Sequence, residues 1–176
     1  MSSIPTSPDP YWPNDLYDLL REHDVTQFAY VPDAGHKTLI DRSLTDPGAS
    51  SIALTTEEEG VAMLAGADLG GARGVLLMQS SGGGNCVNIL SMIKAGRFPF
   101  LTLISMRGDF GEGNPWQMPM GQGLRPVLGA MGVICLDVDS PEQVLPTAEA
   151  ALRLTFESGN SVAVLLTQKL IGAKAF

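Results

Sequence analysis

Apolar and polar positions along the chain repeat with two alternating periods. Leu16, Leu19 and Leu20 recur at helical spacing just before His23, which predicts an amphipathic helix. An apolar run at 28–31 ends at Pro32 and reads as a short strand. The pattern then predicts a helix over 36–44, a turn at Asp46-Pro47-Gly48 and a strand over 51–54. Residues 57–69 form an Ala- and Gly-rich helical stretch stopped by Gly70-Gly71. Further strands are predicted over 74–78, 98–104, 133–136 and 162–166, and further helices over 85–95, 124–131 and 141–157. The stretch 105–123 is polar, follows neither period, and reads as a long loop.

Most of these strands are continuously apolar, as expected when both faces of a parallel sheet are covered. Strict strand–helix alternation predicts an α/β fold: a doubly wound, mostly parallel six-stranded sheet with helices on both faces. There is no internal repeat and no linker, so 14–176 reads as one domain. Residues 1–13 are rich in Ser and Pro, lack a basic segment followed by an apolar one, and read as a flexible arm rather than a signal peptide. Ligands of such sheets bind at the carboxyl ends of the strands. The loops of interest are therefore 32–37, 55–59, 79–85 and 105–123.

Composition narrows the function classes. Hydrophobic residues make up 44% of the 176 positions and charged ones 17%, enough apolar material for a full core. The formal net charge of −8 and the lack of a basic stripe argue against nucleic-acid binding. No apolar run is long enough to cross a membrane. Cys86 and Cys135 are far apart and read as reduced buried thiols, so a cytoplasmic location is expected. His23 and His36 are too few and too scattered for a zinc site.

Two loops carry chemistry. Gln79-Ser80-Ser81-Gly82-Gly83-Gly84-Asn85 follows a strong strand and opens a helix. Glycines there let backbone approach a ligand, although a tight turn capped by Asn85 explains the run equally well. No Lys-Ser or Lys-Thr pair follows, which sets the run apart from a phosphate loop. The second loop, Thr55-Thr56-Glu57-Glu58-Glu59-Gly60, starts a helix with three acids. Simple capping accounts for carboxylates there. One of the three must nevertheless face the sheet edge, where a half-buried carboxyl can exchange a proton with a ligand.

These two elements, in this order, resemble the pyrimidine-binding α subunit of thiamin-diphosphate-dependent decarboxylases. Sulfopyruvate decarboxylase is the nearest likeness, and the N-terminal domain of phosphonopyruvate decarboxylase the next. Val31-Pro32-Asp33, Arg107-Gly108 and Pro119-Met120-Gly121 carry the likeness too, which runs over nearly the whole chain after Leu16. The chain departs from the family at Ser80, Gly83, Met106 and Ala34. The resemblance implies a glutamate that hydrogen-bonds the cofactor's pyrimidine ring and helps create its reactive carbanion. By the family's spacing Glu58 is that residue, Glu59 the runner-up and Glu57 a solvated cap. Gln79, Ser80, Ser81, Gly82, Gly83, Gly84 and Asn85 are expected to line the cofactor.

On the substrate side, Asp33 and His36 are expected to face the 2-oxoacid, with an ordinary surface histidine as the alternative for His36. Arg107 is expected to hold a second anionic group, with Lys37 weaker; the alternative for Arg107 is a surface salt bridge to Asp109 or Glu112. Trp116, Met118 and Met120 read either as a lid or as a loop packed on a partner. The Gly-Asp-Gly sequence that holds Mg²⁺ and the diphosphate in this class is missing, so no metal ligands are expected here. A separate β chain is implied, in a heterotetramer or larger assembly. Two alternatives stand beside this reading: another thiamin-diphosphate carbon–carbon lyase or ligase such as an acyloin synthase, and a non-catalytic flavodoxin-like binding module.

Overall fold

The structure, a computed structural model, describes residues 12–173. Its frame is one six-stranded sheet: β1 (Val25–Tyr30), β2 (Ser50–Ala53), β3 (Arg73–Gln79), β4 (Phe100–Ser105), β5 (Ile134–Val138) and β6 (Ser161–Leu166). All pairings are parallel, in the order β2-β1-β3-β4-β6-β5. The expected α/β architecture is therefore the observed one. The central strands β3, β4 and β6 are buried almost throughout, which is why they read as unbroken apolar runs. The edge strands β2 and β5 expose several side chains.

Helices cover both faces. On one side α1 (Trp12–Glu22), α2 (Lys37–Thr45) and α7 (Pro141–Phe156) close a core that contains Leu16, Leu20, Phe28, Leu39, Val75, Leu152 and Val164. On the other, α3 (Glu57–Leu69), α4 (Ser80–Asn85), α5 (Leu90–Gly96) and α6 (Met118–Ala130) close a second core around Val61, Leu76, Leu90, Ile104, Leu124 and Leu165. A last short helix, α8 (Gln168–Ile171), follows β6. The chain leaves β1 toward α2 and leaves β3 toward α4, on opposite faces. Since β1 and β3 are neighbours, a crevice opens between their carboxyl ends.

Beyond shifts of a few residues at strand ends, three helix boundaries differ from the sequence expectation. Helix α1 begins at Trp12, inside the stretch read as an arm; the first eleven residues of that arm lie outside the described residues. The glycine run is helical rather than a loop, and the helix expected over 85–95 is split by a turn between α4 and α5. Helix α6 starts at Met118, well before the expected 124, with Pro119 in its first turn. Proline is at home there, because the first N–H groups of a helix have no partner inside it.

Small residues set the helix–sheet distance. A β-carbon on Gly60 would lie 2.5 Å from Leu76 Cδ1 and 2.8 Å from Leu54 Cδ1, so α3 rests on the sheet only because Gly60 has none. Gly66, on the same helix, has nothing near its β position. Gly60→Val should therefore cost about 1–3 kcal/mol through overpacking. Gly66→Ala should gain about 0.5–1 kcal/mol through backbone entropy. Urea denaturation of the two variants checks both signs.

Candidate functional site

The three acids of α3 diverge by helix geometry. Glu57, Gly60, Val61, Leu64 and Ala65 are the buried residues of the helix, at the 3–4 spacing of one face. Glu57 thus belongs to the stripe that faces the sheet and is 8% exposed. Glu58, about 100° around the helix, is exposed. Glu59 is exposed as well, and its Oε2 accepts from the Thr55 N–H at 2.9 Å, a capping contact. The acid turned into the chain is Glu57, which is therefore not a solvated cap; Glu58, the acid expected from the family spacing, stays exposed.

Glu57 lands on the glycine helix. A β-carbon on Gly82 would overlap its carboxylate. Asn85 Nδ2 donates to Glu57 Oε2 at 2.9 Å. The other oxygen, Oε1, accepts no hydrogen bond among the described residues. The glycines were expected to admit a ligand, yet their bareness is used inside the chain. Leu124 fills the space at Gly83, and Met120 Sδ lies 3.3 Å from the β position of Gly84. With six residues, α4 is also too short to act as a dipole-bearing anion site. Ser80 is fully buried and joins two strand ends: it donates to the Arg107 carbonyl at 3.2 Å and accepts from the Arg107 N–H at 3.1 Å. It clamps the head of α4 to the start of the Arg107 loop.

Across the crevice Asp33 ties three strand ends together. Its carboxylate accepts from Ser105 Oγ at 2.6 Å, the Gly35 N–H at 2.9 Å and Gln79 Nε2 at 3.4 Å. Burial alone would raise its pKa; the hydrogen bonds from Ser105, Gly35 and Gln79 outweigh that and hold the carboxyl below the ordinary range. Ser81 Oγ donates to Gln79 Oε1 at 2.9 Å, which fixes the amide's direction. Asp33, Ala34, Gly35, Ser105 and Arg107 line a pocket of about 150 Å³ that Ile171 and Gly172 close. His36 does not join them. It is fully buried with Nε2 3.1 Å from the Met78 carbonyl, neither facing substrate nor on the surface. Burial pushes its pKa below the ordinary value, so it is a neutral core histidine.

Arg107 is committed as well. Its Nη2 donates to Glu112 Oε1 at 2.8 Å and its Nε donates to Oε2, a bidentate pair buried rather than on the surface. Gln168, which the sequence reading missed, completes the network. Its Nε2 donates to Glu112 Oε2 at 2.9 Å, and its Oε1 accepts from the N–H groups of Gly108, Asp109 and Phe110. The anion that Arg107 meets in this chain is therefore Glu112. Trp116 is 84% exposed and Met118 lies at the surface, so neither covers the pocket here. Among the described residues no cluster of side chains fits a metal ion, and no helix is long and apolar enough to cross a membrane.

Comparison with known proteins shows the family. The chain is 34% identical over 152 residues to the sulfopyruvate decarboxylase subunit alpha of Methanococcus maripaludis, covering 86% of this chain and 91% of that protein. It belongs to the sulfopyruvate decarboxylase α-subunit family. A longer sulfopyruvate decarboxylase from Methanosarcina acetivorans is 29% identical over 156 residues, which are 88% of this chain and 40% of that one. Among solved structures, the 2-oxoglutarate:ferredoxin oxidoreductase of Magnetococcus marinus matches with a TM-score of 0.73 at 15% identity, covering 90% of this chain and 29% of that one. That likeness shows a shared fold. No protein-family profile matches the chain.

The Arg107–Glu112 pair predicts an acid-sensitive loop. The Arg107 guanidinium first, and then the Asn114 N–H, lower the Glu112 pKa to about 2. A depressed carboxyl stabilises the fold fully above its unfolded pKa of about 4.3, and that contribution is lost as pH falls toward 2. Glu112→Gln should lower stability at neutral pH, because Arg107 loses its charged partner. The gap from wild type should close between about pH 4.5 and 2. Urea midpoints across that range check it; a gap independent of pH would refute it.

Proposed function

We propose that this chain is the pyrimidine-binding half of a thiamin-diphosphate-dependent 2-oxoacid decarboxylase, and that Glu57 is its proton-carrying carboxyl. The observation that carries this is the placement of Glu57. It is the one acid of its cluster turned inward, seated on Gly82 and held by Asn85 at the carboxyl edge of the sheet. Its chemistry fits an aminopyrimidine. With Oε2 accepting from Asn85, Oε1 is left to hold a proton and present it to a ring nitrogen. When bound, the cofactor supplies the electron sink that decarboxylation needs.

The remaining residues orient and shape. Asp33 and Ser105, fixed by their mutual hydrogen bond, form the wall of the pocket beside Arg107. Gln79, oriented by Ser81 and Asp33, keeps an N–H for a ligand in the crevice. A 2-oxoacid with a second acidic group, sulfopyruvate- or phosphonopyruvate-like, is the substrate class that the relatives favour. A separate chain supplies the Mg²⁺ ligands and the diphosphate site in a heterotetramer or larger assembly; the name "subunit alpha" of the methanogen relative supports a second subunit. The chain works in the cytoplasm.

Two measurements test this. In the assembled complex, Glu57→Gln should slow proton exchange at the thiazolium carbon by roughly two to four orders of magnitude, the scale of a general acid or base. Glu58→Gln, altering an exposed side chain, should leave exchange within about twofold of wild type, since surface changes are usually small. The opposite result, followed by NMR, would return the role to Glu58. The purified chain without its partner should release no carbon dioxide from 2-oxoacids; robust release by the lone chain would remove the need for a second subunit.

A further inference from the structure

The two edges of the sheet differ in charge. β2, at the crevice end, leads straight into the acidic start of α3, where Glu58 and Glu59 are exposed. β5, at the far end, pairs with β6 alone, in one unbroken parallel register from Ile134 to Val138. The free N–H and C=O groups of an edge strand recruit another strand unless a proline, a bulge or an unpaired charge blunts them. β5 has no proline and no bulge. Its own charge, Asp137, pairs with Arg125 of α6, so each cancels the other.

A cleft of about 410 Å³ runs along this edge. Residues 135–137 of β5 line it together with Arg125 from α6 and Pro146 and Ala150 from α7. The apolar side chains Ile134 and Leu145, on β5 and α7, are exposed as well. Arg125 and Asp137 each remain about half exposed, so their ion pair is open to a second one. Arg125 Nη1 also reaches the Cys135 carbonyl, at 3.3 Å.

A two-fold contact lays a surface on its own copy, so any net charge on that surface repels itself. A chain of net charge −8 disfavours self-contact in general. The β5 cleft is an exception: it is lined by one cation and one anion, and a two-fold sets the two ion pairs head to tail, each Arg125 toward the Asp137 of the other copy. We propose that β5 is a self-association edge, on which a second copy of this chain pairs its own β5 antiparallel and joins the two sheets into one. The flanking helices α6 and α7 of both copies then cover the apolar side chains along the seam. The crevice between β1 and β3 stays open, because β4 and β6 stand between it and β5. The inference therefore holds whether or not the proposed function does.

Analytical ultracentrifugation of the purified full-length chain tests this, with the wild type expected as a dimer at micromolar concentration. Arg125→Asp and Asp137→Arg each bring like charges together across the seam and should weaken the dimer by about tenfold or more. The double variant restores the order of opposite charges and should return the dimer to within about threefold of wild type. A pair that serves only the fold would shift the urea midpoint in the single variants and leave the mass unchanged. Should these variants fail to fold, Ala150→Arg, at an exposed position on the cleft wall, blocks the seam directly and should give a monomer with the wild-type urea midpoint. A monomeric wild type overturns the proposal, as does a dimer indifferent to all four variants. If the wild type is monomeric and the same substitutions instead release a co-expressed diphosphate-binding subunit, the face belongs to that subunit.

Discussion

The arrangement of the carboxyl edge turns on one missing side chain. Where α3 meets α4, the Glu57 carboxylate occupies the space that any β-carbon at position 82 would take. Alanine there would push the first turn of α3 away and break the bond from Asn85. Gly60 sets the same approach from the other end of that turn, since it lets α3 settle on Leu54 and Leu76. The helix is therefore seated at two points, and the inward acid is positioned by packing rather than by charge. Capping explains only Glu59. The dipole of α3 favours all three acids alike, but close packing selects Glu57 alone.

A second anchor makes the opposite wall of the crevice rigid. Asp33 belongs to the loop after β1, Gln79 ends β3 and Ser105 ends β4, so one carboxylate binds three strand ends. Ser80 adds a clamp from the head of α4 to the start of the Arg107 loop. These bonds are buried or half-buried, and the groups they join would pay for desolvation if left unpaired. They also spend the side chains that make them. Ser80 and His36 looked like ligand contacts because of where they lie along the chain, yet their polar groups are directed into the protein. Gln79 keeps one N–H and Glu57 one carboxylate oxygen without a partner among the described residues, which makes them the better contacts.

The fold was legible because its signals are physical and repeated. Apolar runs marked most of the strands, and α3 was bounded at Glu57 and Leu69 as observed. Helices α4 and the start of α6 were not legible. Glycine costs about 1 kcal/mol relative to alanine within a helix, so three glycines in a row argue against one. Packing of α6 against those glycines overrides that local preference. At the acidic cluster two signals diverge. Counting from a family pattern across three adjacent glutamates points to Glu58 and does not say which acid packs inward. The 3.6-residue period does: Val61 and Leu64 lie four and seven positions after Glu57, which places that acid on their face. Gln168 left no such mark, because its role depends on a loop some sixty residues earlier folding back over it.

Charge accounts for what this half of the site lacks. In a chain of net charge −8, Arg107 near the pocket invites the view that it receives an anion. Glu112 already holds it by both donor edges, and burial makes that pair costly to exchange for a mobile ligand. Lys37, at the start of α2, pairs with Asp41. Asp33 is held ionised by its hydrogen bonds. The described edge therefore presents carboxylates, with its nearby cations engaged. A 2-oxoacid or a diphosphate, both anionic, gains little Coulomb attraction from such a surface. On the function proposed above, the positive charge that offsets them would come with the metal ion and the partner chain. On that reading, complementary charge across the interface would favour assembly and ligand binding together.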